Sequence, residues 1–152
     1  TMINKGLFTN NSNEWETPDD IFNKLDEEFN FTLDPCCTDI TAKCAKFYTK
    51  ETNGLIQDWS KETVFVNPPY GREIKHWVEK SYKEFLKGAT VVMLIPARTD
   101  TKYWHEYIFD KAEVRFIKGR IKFLQNGEAK QAAPFPSAII VFSDNAKITH
   151  AN

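Results

Sequence analysis

The stretch that decides the fold of this chain is Val64-Phe65-Val66-Asn67-Pro68-Pro69-Tyr70. Its three apolar residues are typical of a buried strand. The two prolines cannot continue that strand, because they carry no N–H group for the hydrogen-bond ladder. The strand therefore ends in a rigid loop that offers an amide, two proline carbonyls and an aromatic ring. Since open α/β sheets bind their ligands at the carboxyl ends of strands, we expect a ligand site at residues 67–70.

Helices and strands alternate on both sides of this stretch. Thr17-Pro18 followed by two acidic residues predicts a helix start, with Thr17 as the cap and Pro18 at the first helical position. The run 89–95 is apolar apart from Thr90, which predicts a central strand buried on both faces. We expect helices over residues 17–29, 39–46, 73–87 and 101–109, strands over 31–33, 47–48, 63–67, 89–95, 114–117 and 138–142, and a long connection over 119–136 with a turn at Gly127. This alternation predicts a three-layer α/β fold with a mainly parallel sheet.

The length and charge of the chain bound its organisation. The 152 residues suffice for one domain with a hydrophobic core. We expect the polar, asparagine-rich residues 1–13 to form a flexible arm, and residues 14–152 to form a single catalytic domain without a separate target-recognition domain. The net charge of −1 excludes a polycation that coats nucleic acid, so contact with DNA requires a local basic patch.

Composition also bears on location and metal binding. No apolar run is long enough to span a membrane, and the N-terminus carries no signal-peptide pattern. We therefore expect a cytoplasmic protein that makes no membrane contact and is a monomer or a weak homo-oligomer. Cys36, Cys37 and Cys44 are poorly spaced for zinc and have no histidine near them in sequence. We expect thiols in a reducing compartment and no metal site.

The loop at residues 67–70 has the groups needed to methylate an exocyclic amino group on a planar base. Such a nitrogen is a poor nucleophile, because its lone pair is delocalised into the ring. The Asn67 side-chain oxygen and the Pro68 carbonyl can accept hydrogen bonds from its two N–H groups, which favours a pyramidal nitrogen whose lone pair points at a methyl donor. Tyr70 offers a face on which a flipped base can stack. The alternative is a Pro-Pro turn with Tyr70 as an ordinary core residue.

This loop and six further segments resemble the phage Dam-type DNA N6-adenine methyltransferases, which use S-adenosylmethionine (SAM). Asp/Asn-Pro-Pro followed by an aromatic residue is the catalytic motif of amino-group methyltransferases. The matching segments are Glu14-Trp15-Glu16-Thr17-Pro18, Phe31-Thr32-Leu33-Asp34-Pro35, Gly54-Leu55 with Trp59, Asn67-Pro68-Pro69-Tyr70-Gly71, Leu94-Ile95-Pro96-Ala97-Arg98-Thr99-Asp100, Gly119-Arg120-Ile121-Lys122-Phe123 and Pro134-Phe135-Pro136-Ser137-Ala138. The resemblance implies a trimmed, Rossmann-like SAM-dependent methyltransferase fold with an antiparallel last strand. It further implies SAM as cofactor, a flipped DNA adenine as substrate, and Asn67, Pro68, Pro69 and Tyr70 as catalytic residues.

The resemblance also implies which residues contact the cofactor. The loop after the first strand meets the methionine part of SAM, although this chain has no glycine there, unlike the wider superfamily. The start of the first helix closes over the cofactor carboxylate, which suits its unpaired N–H groups. Asp58 accepts a hydrogen bond from the cofactor's adenine, and Glu51 is a candidate for the ribose. The expected cofactor-binding residues are Trp15, Thr17, Pro18, Asp34, Pro35, Cys36 and Asp58.

The densest basic stretch of the chain consists of Lys111, Arg115, Lys118, Arg120 and Lys122. We expect Lys118, Arg120 and Lys122 to follow DNA phosphates, although such a run is also compatible with a solvated strand face. Arg98 follows a buried strand at its carboxyl end and is expected to point into the same crevice. Phe135 is expected to press on the flipped base from the side opposite Tyr70.

Two classes of alternative function remain open at this point. One is the same chemistry on a cytosine N4, an RNA adenine or a protein glutamine. The other is a non-catalytic nucleic-acid-binding module of the same fold.

Overall fold

A six-stranded sheet forms the centre of the described part of the chain, residues 15–152 of a computed structural model. The arm expected at residues 1–13 lies outside the described residues. The strands of the sheet are β1 (Leu33–Asp34), β2 (Lys46–Phe47), β3 (Thr63–Val66), β4 (Thr90–Pro96), β5 (Glu113–Phe116) and β8 (Ser137–Phe142), and a separate hairpin consists of β6 (Leu124–Gln125) and β7 (Glu128–Ala129). The helices are α1 (Asp19–Phe29) and α2 (Ile74–Leu86), with a 3₁₀ turn at Gly54–Ile56 and a π-helical turn at Trp104–Ile108. No helix within residues 15–152 has the length and apolar character needed to cross a membrane.

The strand order is β2-β1-β3-β4-β8-β5. Strands β2, β1, β3 and β4 are parallel to one another, whereas β8 is antiparallel to both β4 and β5. The expected mainly parallel sheet with an antiparallel last strand is therefore confirmed. Insertion of β8 between β4 and β5 gives β5 the same direction as β4, so the two strands end at the same edge of the sheet.

The strand register places the two helices on opposite faces of the sheet. Phe65 is opposite Val92, and Val92 is opposite Val141, so these three side chains share one face. Phe142 follows Val141 and therefore points to the other face. The ring of Phe65 contacts Phe22 of α1, whereas the ring of Phe142 contacts α2 at Tyr82 and Phe85. The helices α1 and α2 thus enclose the sheet, which is the expected three-layer arrangement.

The topology gathers several chain segments at one edge of the sheet. β3 ends at Val66 directly before the two prolines, and β1 and β4 end at the same edge. Pro96 pairs with Ser137, so the antiparallel β8 begins where β4 ends. The segments that follow β1, β3, β4 and β5, and the segment that precedes β8, therefore lie at this edge. Most sequence-predicted site residues belong to these segments.

Two local expectations were wrong: the cap of the first helix and the helix over residues 39–46. Thr17 does not cap α1: Pro18 is the N-cap residue and no side chain caps the helix, because the Thr17 hydroxyl accepts a hydrogen bond from Asn67 instead. Residues 39–46 form no helix, since the hydroxyls of Thr38 and Thr41 bind each other's backbone N–H groups at 3.0 Å and hold the segment as a loop.

The helix expected over residues 101–109 is also different in the structure. It is reduced to the π-helical turn at Trp104–Ile108. The Phe109 N–H donates to the carbonyl of Trp104, five residues earlier, and this wide turn buries Trp104 and Ile108 completely.

Candidate active site

A cavity of about 860 Å³ opens at the edge of the sheet where β1 and β3 end. Its size lies within the range of small-molecule binding sites. Its walls include the segment before α1 (residues 15–17), the loop after β1 (34–39), residues 53–55, the loop after β3 (67–69) and the β6–β7 turn (124–126). The resemblance-based cofactor and catalytic residues thus converge: Trp15, Thr17, Asp34, Pro35, Cys36, Asn67, Pro68 and Pro69 all line this cavity.

The side-chain amide of Asn67 is held in one orientation by three hydrogen bonds. Its nitrogen donates to the backbone carbonyl of Trp15 and, at 2.9 Å, to the Thr17 hydroxyl. Its oxygen accepts a hydrogen bond from the Tyr70 hydroxyl at 2.7 Å. Because an amide oxygen has two lone pairs, one acceptor position on Asn67 remains. Asn67 therefore presents a preoriented acceptor at the carboxyl end of β3.

Tyr70 lies behind the cavity and is only 6% exposed. Its hydroxyl also approaches the Leu94 carbonyl at 3.1 Å, which ties the loop after β3 to the neighbouring strand β4. Burial holds the pKa of the Tyr70 hydroxyl well above its ordinary value, so it acts as a hydrogen-bond donor at neutral pH. Tyr70 thus orients Asn67 through its hydroxyl, a role that the sequence reading did not assign to it.

The rings of Tyr70, Phe123 and Phe135 contact one another and form a cluster that we call the aromatic box. The indole of Trp15 is partly buried and contacts all three rings. The indole is nearly parallel to the Tyr70 ring, at 18° with centroids 6.4 Å apart. It meets Phe123 and Phe135 edge to face at 5.6 and 5.2 Å. Phe135 therefore lies beside Tyr70, at 5.5 Å and 79°, rather than parallel to it across a gap.

The buried carboxylate of Asp34 holds the loop after β1. It accepts hydrogen bonds from the backbone N–H groups of Cys36 at 3.3 Å and Lys43 at 3.0 Å. Burial raises the pKa of this carboxyl to about 6, and these two hydrogen bonds oppose the rise. Burial also raises the pKa of the Cys37 and Cys44 thiols, so both stay protonated at neutral pH. Asp34 therefore shapes the cavity wall from inside the protein.

Gly54, which lies outside the loop after β1, lets its own backbone pack closely behind that loop. A Cβ atom on Gly54 would lie 2.1 Å from the Pro35 carbonyl oxygen, a distance that no side chain can occupy. Asn53 precedes it with a positive φ of 53°, and its side chain accepts a hydrogen bond from Leu55 N–H. Gly54 therefore lets the facing segment pack directly against the backbone of Pro35 in the loop after β1. The signal in the sequence is the pair Asn53-Gly54, which is typical of a turn.

Lys43 is a further cavity residue that the sequence reading did not single out. Its ammonium group lies 3.3 Å from Asp19 and 3.8 Å from Glu16, near the start of α1. Its side chain is largely buried, so this positive charge is held at the cavity wall. Lys43 had no signal in the sequence, because its position depends on the loop that Asp34 folds.

Two expected cofactor residues do not line the cavity. Pro18 is the N-cap of α1 and lies next to Thr17, which does. Asp58 is exposed, and its carboxylate accepts a hydrogen bond from the backbone N–H of Ser60, which lowers its pKa. Glu51, the candidate for the ribose, does line the cavity.

None of the four expected DNA-contacting cations lines the cavity. Arg98, Lys118, Arg120 and Lys122 are all exposed in the segments that follow β4 and β5. Arg120 makes one long hydrogen bond, 3.4 Å to the Ala133 carbonyl. Phe135, in contrast, is buried in the aromatic box. Among residues 15–152, no group of three or more His, Cys, Asp or Glu side chains is arranged to hold a metal ion.

Comparison with known proteins gives one consistent family. Residues 6–150 match the family model described as "DNA N-6-adenine-methyltransferase (Dam)". The chain is similar to the DNA N-6-adenine-methyltransferase of Haemophilus phage HP1, with 30% identity over 87% of this chain and 79% of the relative. It is also similar to the protein of the same name from Escherichia phage T1, with 31% identity over 68% of this chain and 44% of that relative.

Proposed function

The chain belongs to the Dam family of DNA N-6-adenine-methyltransferases, and we propose that it transfers the methyl group of SAM to the N6 amino group of adenine in DNA. The observation that carries this proposal is the preoriented amide of Asn67 beside the cavity. Positioned hydrogen-bond acceptors of this kind suit a reaction whose rate depends on geometry and electrostatics.

The acceptor role follows from the chemistry of the amino group. The free lone pair of the Asn67 oxygen and the backbone carbonyl of Pro68 would each accept a hydrogen bond from one of the two N–H groups of adenine N6. This favours a pyramidal nitrogen whose lone pair is free to attack the sulfonium methyl that SAM supplies when it is bound. In the transfer a bond would form between the nitrogen and the methyl carbon while the carbon–sulfur bond breaks, and the surplus proton would leave the nitrogen for solvent. The three hydrogen bonds of Asn67 mean that no reorientation is needed at the moment of transfer.

The cavity fits SAM in size and in charge. The ammonium group of Lys43, which lies at the cavity wall beside Glu16 and Asp19, would hold the cofactor carboxylate. Asp34 and Gly54 would shape the wall along its methionine part, and Glu51 would face the ribose. We do not assign Asp58 to this site, because it lies outside the residues that line the cavity.

DNA would approach from the rim formed by the segments after β4 and β5. The exposed cations Arg98, Lys118, Arg120 and Lys122 would contact phosphates, while the adenine leaves the duplex to reach Asn67. A local basic rim is needed because the net charge of the chain is −1. The cytoplasmic location and the monomeric or weakly oligomeric state stay predictions.

Methyl transfer from labelled SAM tests this function. The protein is incubated with tritiated SAM and adenine-containing DNA of varied sequence, and the DNA is digested to nucleosides. We expect label in N6-methyldeoxyadenosine. Label in N4-methyldeoxycytidine, or only in RNA or protein substrates, would show that the amino group was assigned wrongly. SAM binding without transfer to any substrate, measured by calorimetry, would contradict catalysis while supporting the cofactor site.

A further inference from the structure

The indole of Trp15 fills the place where the proposed function requires a base. A base that presents its amino group to Asn67 would lie next to the aromatic box, since the Tyr70 hydroxyl is 2.7 Å from the Asn67 oxygen. Tyr70 is only 6% exposed, and the indole of Trp15 lies nearly parallel to its ring, at 18° with centroids 6.4 Å apart. A flipped base therefore cannot stack there while the indole is in place.

The shape of the occupant indicates the shape of the ligand. Indole and purine are both planar bicyclic ring systems in which a five-membered ring is fused to a six-membered ring. The contacts of Trp15 with Tyr70, Phe123 and Phe135 are therefore contacts that a purine of the same outline can make. A pyrimidine is a single ring and would leave part of the box unfilled.

The main chain of Trp15 is fixed, whereas its side chain can rotate. The carbonyl of Trp15 accepts a hydrogen bond from Asn67, and Glu16 pairs with Leu124 through two backbone hydrogen bonds of 2.8 and 3.3 Å. The indole is held by ring contacts and by the ammonium of Lys130, 4.2 Å from its centre. Rotation about the side-chain bonds of Trp15 would empty the box without breaking the hydrogen bonds that orient Asn67.

We propose that the indole of Trp15 occupies the target-base site and leaves it when a purine base enters, so that the aromatic box holds the indole and the base in turn. The inference rests on the proposed function and makes it more specific, since it assigns Phe123 and Phe135 to the base site and favours adenine over cytosine. Lys130 lies on the indole and is thus placed to release it when a DNA phosphate competes for its charge.

Fluorine NMR of the protein labelled with 5-fluorotryptophan tests the exchange without methyl transfer. The chain has four tryptophans, of which Trp59, Trp77 and Trp104 are buried. The Trp15 signal is assigned by its loss in Trp15→Phe. On saturation with a short oligodeoxyadenylate, we expect this signal alone to move to the position of an exposed fluorotryptophan. Oligothymidylate of the same length, at equal saturation, should leave it in place. An unmoved signal with oligodeoxyadenylate, or equal movement with both, overturns the proposal.

The affinity of Trp15→Ala gives an independent test with a definite sign. If the indole competes with the base, removing it raises the affinity for oligodeoxyadenylate about tenfold, because the site no longer has to be vacated. A lower affinity would mean that the indole stays and supports the base, which contradicts the exchange. A melting curve checks that the variant is folded; if it is not, the NMR measurement on the wild-type protein still decides.

The two proposals fail in different ways. Adenine methylation with an immobile Trp15 would contradict the proposed exchange while supporting the proposed function. Displacement of Trp15 by oligodeoxyadenylate without methyl transfer would support the proposed base site while contradicting the proposed function.

Discussion

At the scale of single residues, Asn67 combines two roles that substitution can separate. Its oxygen is the proposed acceptor for the adenine amino group, while its nitrogen anchors the main chain of Trp15 and the hydroxyl of Thr17. We expect Asn67→Ala to lower turnover by on the order of 10²-fold or more, because it removes an acceptor that is oriented before the reaction. Affinity for SAM should change little. Single-turnover methylation together with calorimetry measures both quantities.

Asn67→Asp is the matched control for this prediction. The substitution keeps an acceptor oxygen but replaces the donor nitrogen with a second oxygen, which faces the Trp15 carbonyl. If the acceptor is what matters, Asn67→Asp should retain clearly more activity than Asn67→Ala. Equal losses in the two variants would assign the effect to the anchoring of residues 15–17 and would remove the acceptor role.

The hydroxyl of Tyr70 changes an expectation that the sequence suggests. If only the ring face mattered, Tyr70→Phe would keep most activity. In the structure the buried hydroxyl donates to the Asn67 oxygen at 2.7 Å and lies 3.1 Å from the Leu94 carbonyl. We expect Tyr70→Phe to cost about 1 kcal/mol of unfolding free energy and to lower turnover by about tenfold, since the Asn67 amide loses one of its orienting contacts. Urea unfolding and turnover are the measurements, and wild-type values for both would show that the hydroxyl bond is dispensable.

The raised pKa of Asp34 predicts a pH dependence of stability with a definite sign. Its pKa is about 6 in the folded protein, against 3.8 for an exposed aspartate, chiefly because of burial. The stabilising contribution of the protonated group is complete below about pH 4 and is lost as the pH rises through about 6. The advantage in unfolding free energy of wild type over Asp34→Asn should therefore fall by up to about 3 kcal/mol between about pH 4 and 7.

Asp58→Asn serves as the control of opposite sign. The exposed Asp58 carboxylate has a lowered pKa because it accepts a hydrogen bond from Ser60, so its contribution is lost when the pH falls. Because that loss occurs only below about pH 4, urea unfolding between about pH 4 and 7 should show no pH dependence for Asp58→Asn, whereas the advantage of wild type over Asp34→Asn falls across the same range. A difference between wild type and Asp34→Asn that does not change with pH would refute the buried, raised-pKa assignment.

At the scale of elements, the 3₁₀ turn at Gly54–Ile56 packs against the loop that follows β1. A methyl group on Gly54 would lie 2.1 Å from the Pro35 carbonyl, so the two segments would have to move apart. We expect Gly54→Ala to lower the unfolding free energy by several kcal/mol, in the range of severe packing errors, and to weaken SAM binding. Gly119→Ala is the control, because Gly119 has a positive φ of 79° but open space around it. That variant should lose only about 1 kcal/mol and bind SAM normally.

At the scale of the whole molecule, the basic rim has to supply the attraction for DNA that the net charge does not. Arg120 and Lys122 are exposed, and the one long contact of Arg120 is too weak to brace its loop. Replacing both with alanine should weaken binding to all duplex sequences alike. The slope of log affinity against log salt should fall by about 0.9 for each lost phosphate contact. The melting temperature should stay unchanged, because exposed charges contribute little to folding.

Lys24→Ala with Lys61→Ala is the control for charge alone. Both lysines are exposed, and Lys61 precedes β3 at the edge of the sheet opposite the cavity. This pair removes the same formal charge but should leave the salt slope near wild type. A lower melting temperature with an unchanged slope in the Arg120 and Lys122 variant would instead mean that the two side chains brace the loop.

Local patterns in the sequence determined the architecture. The apolar run before Asn67, the buried run that became β4 and the break imposed by two prolines are properties of neighbouring residues, so strand positions and the three-layer class follow from them. The ends of those strands place residues 34–36 and 67–69 at one cavity, which is why these expected site residues converge.

Only the tertiary structure decided what the individual side chains do. Asn67 binds the segment at Trp15 and Thr17 across some 50 residues of chain, and this contact takes the Thr17 hydroxyl away from the helix cap that its sequence neighbours predict. The close approach of Gly54 to Pro35, the position of Lys43 and the contacts of the indole with the aromatic box likewise depend on distant partners. No local pattern encodes such contacts, because they form only when the sheet brings the ends of separate strands together.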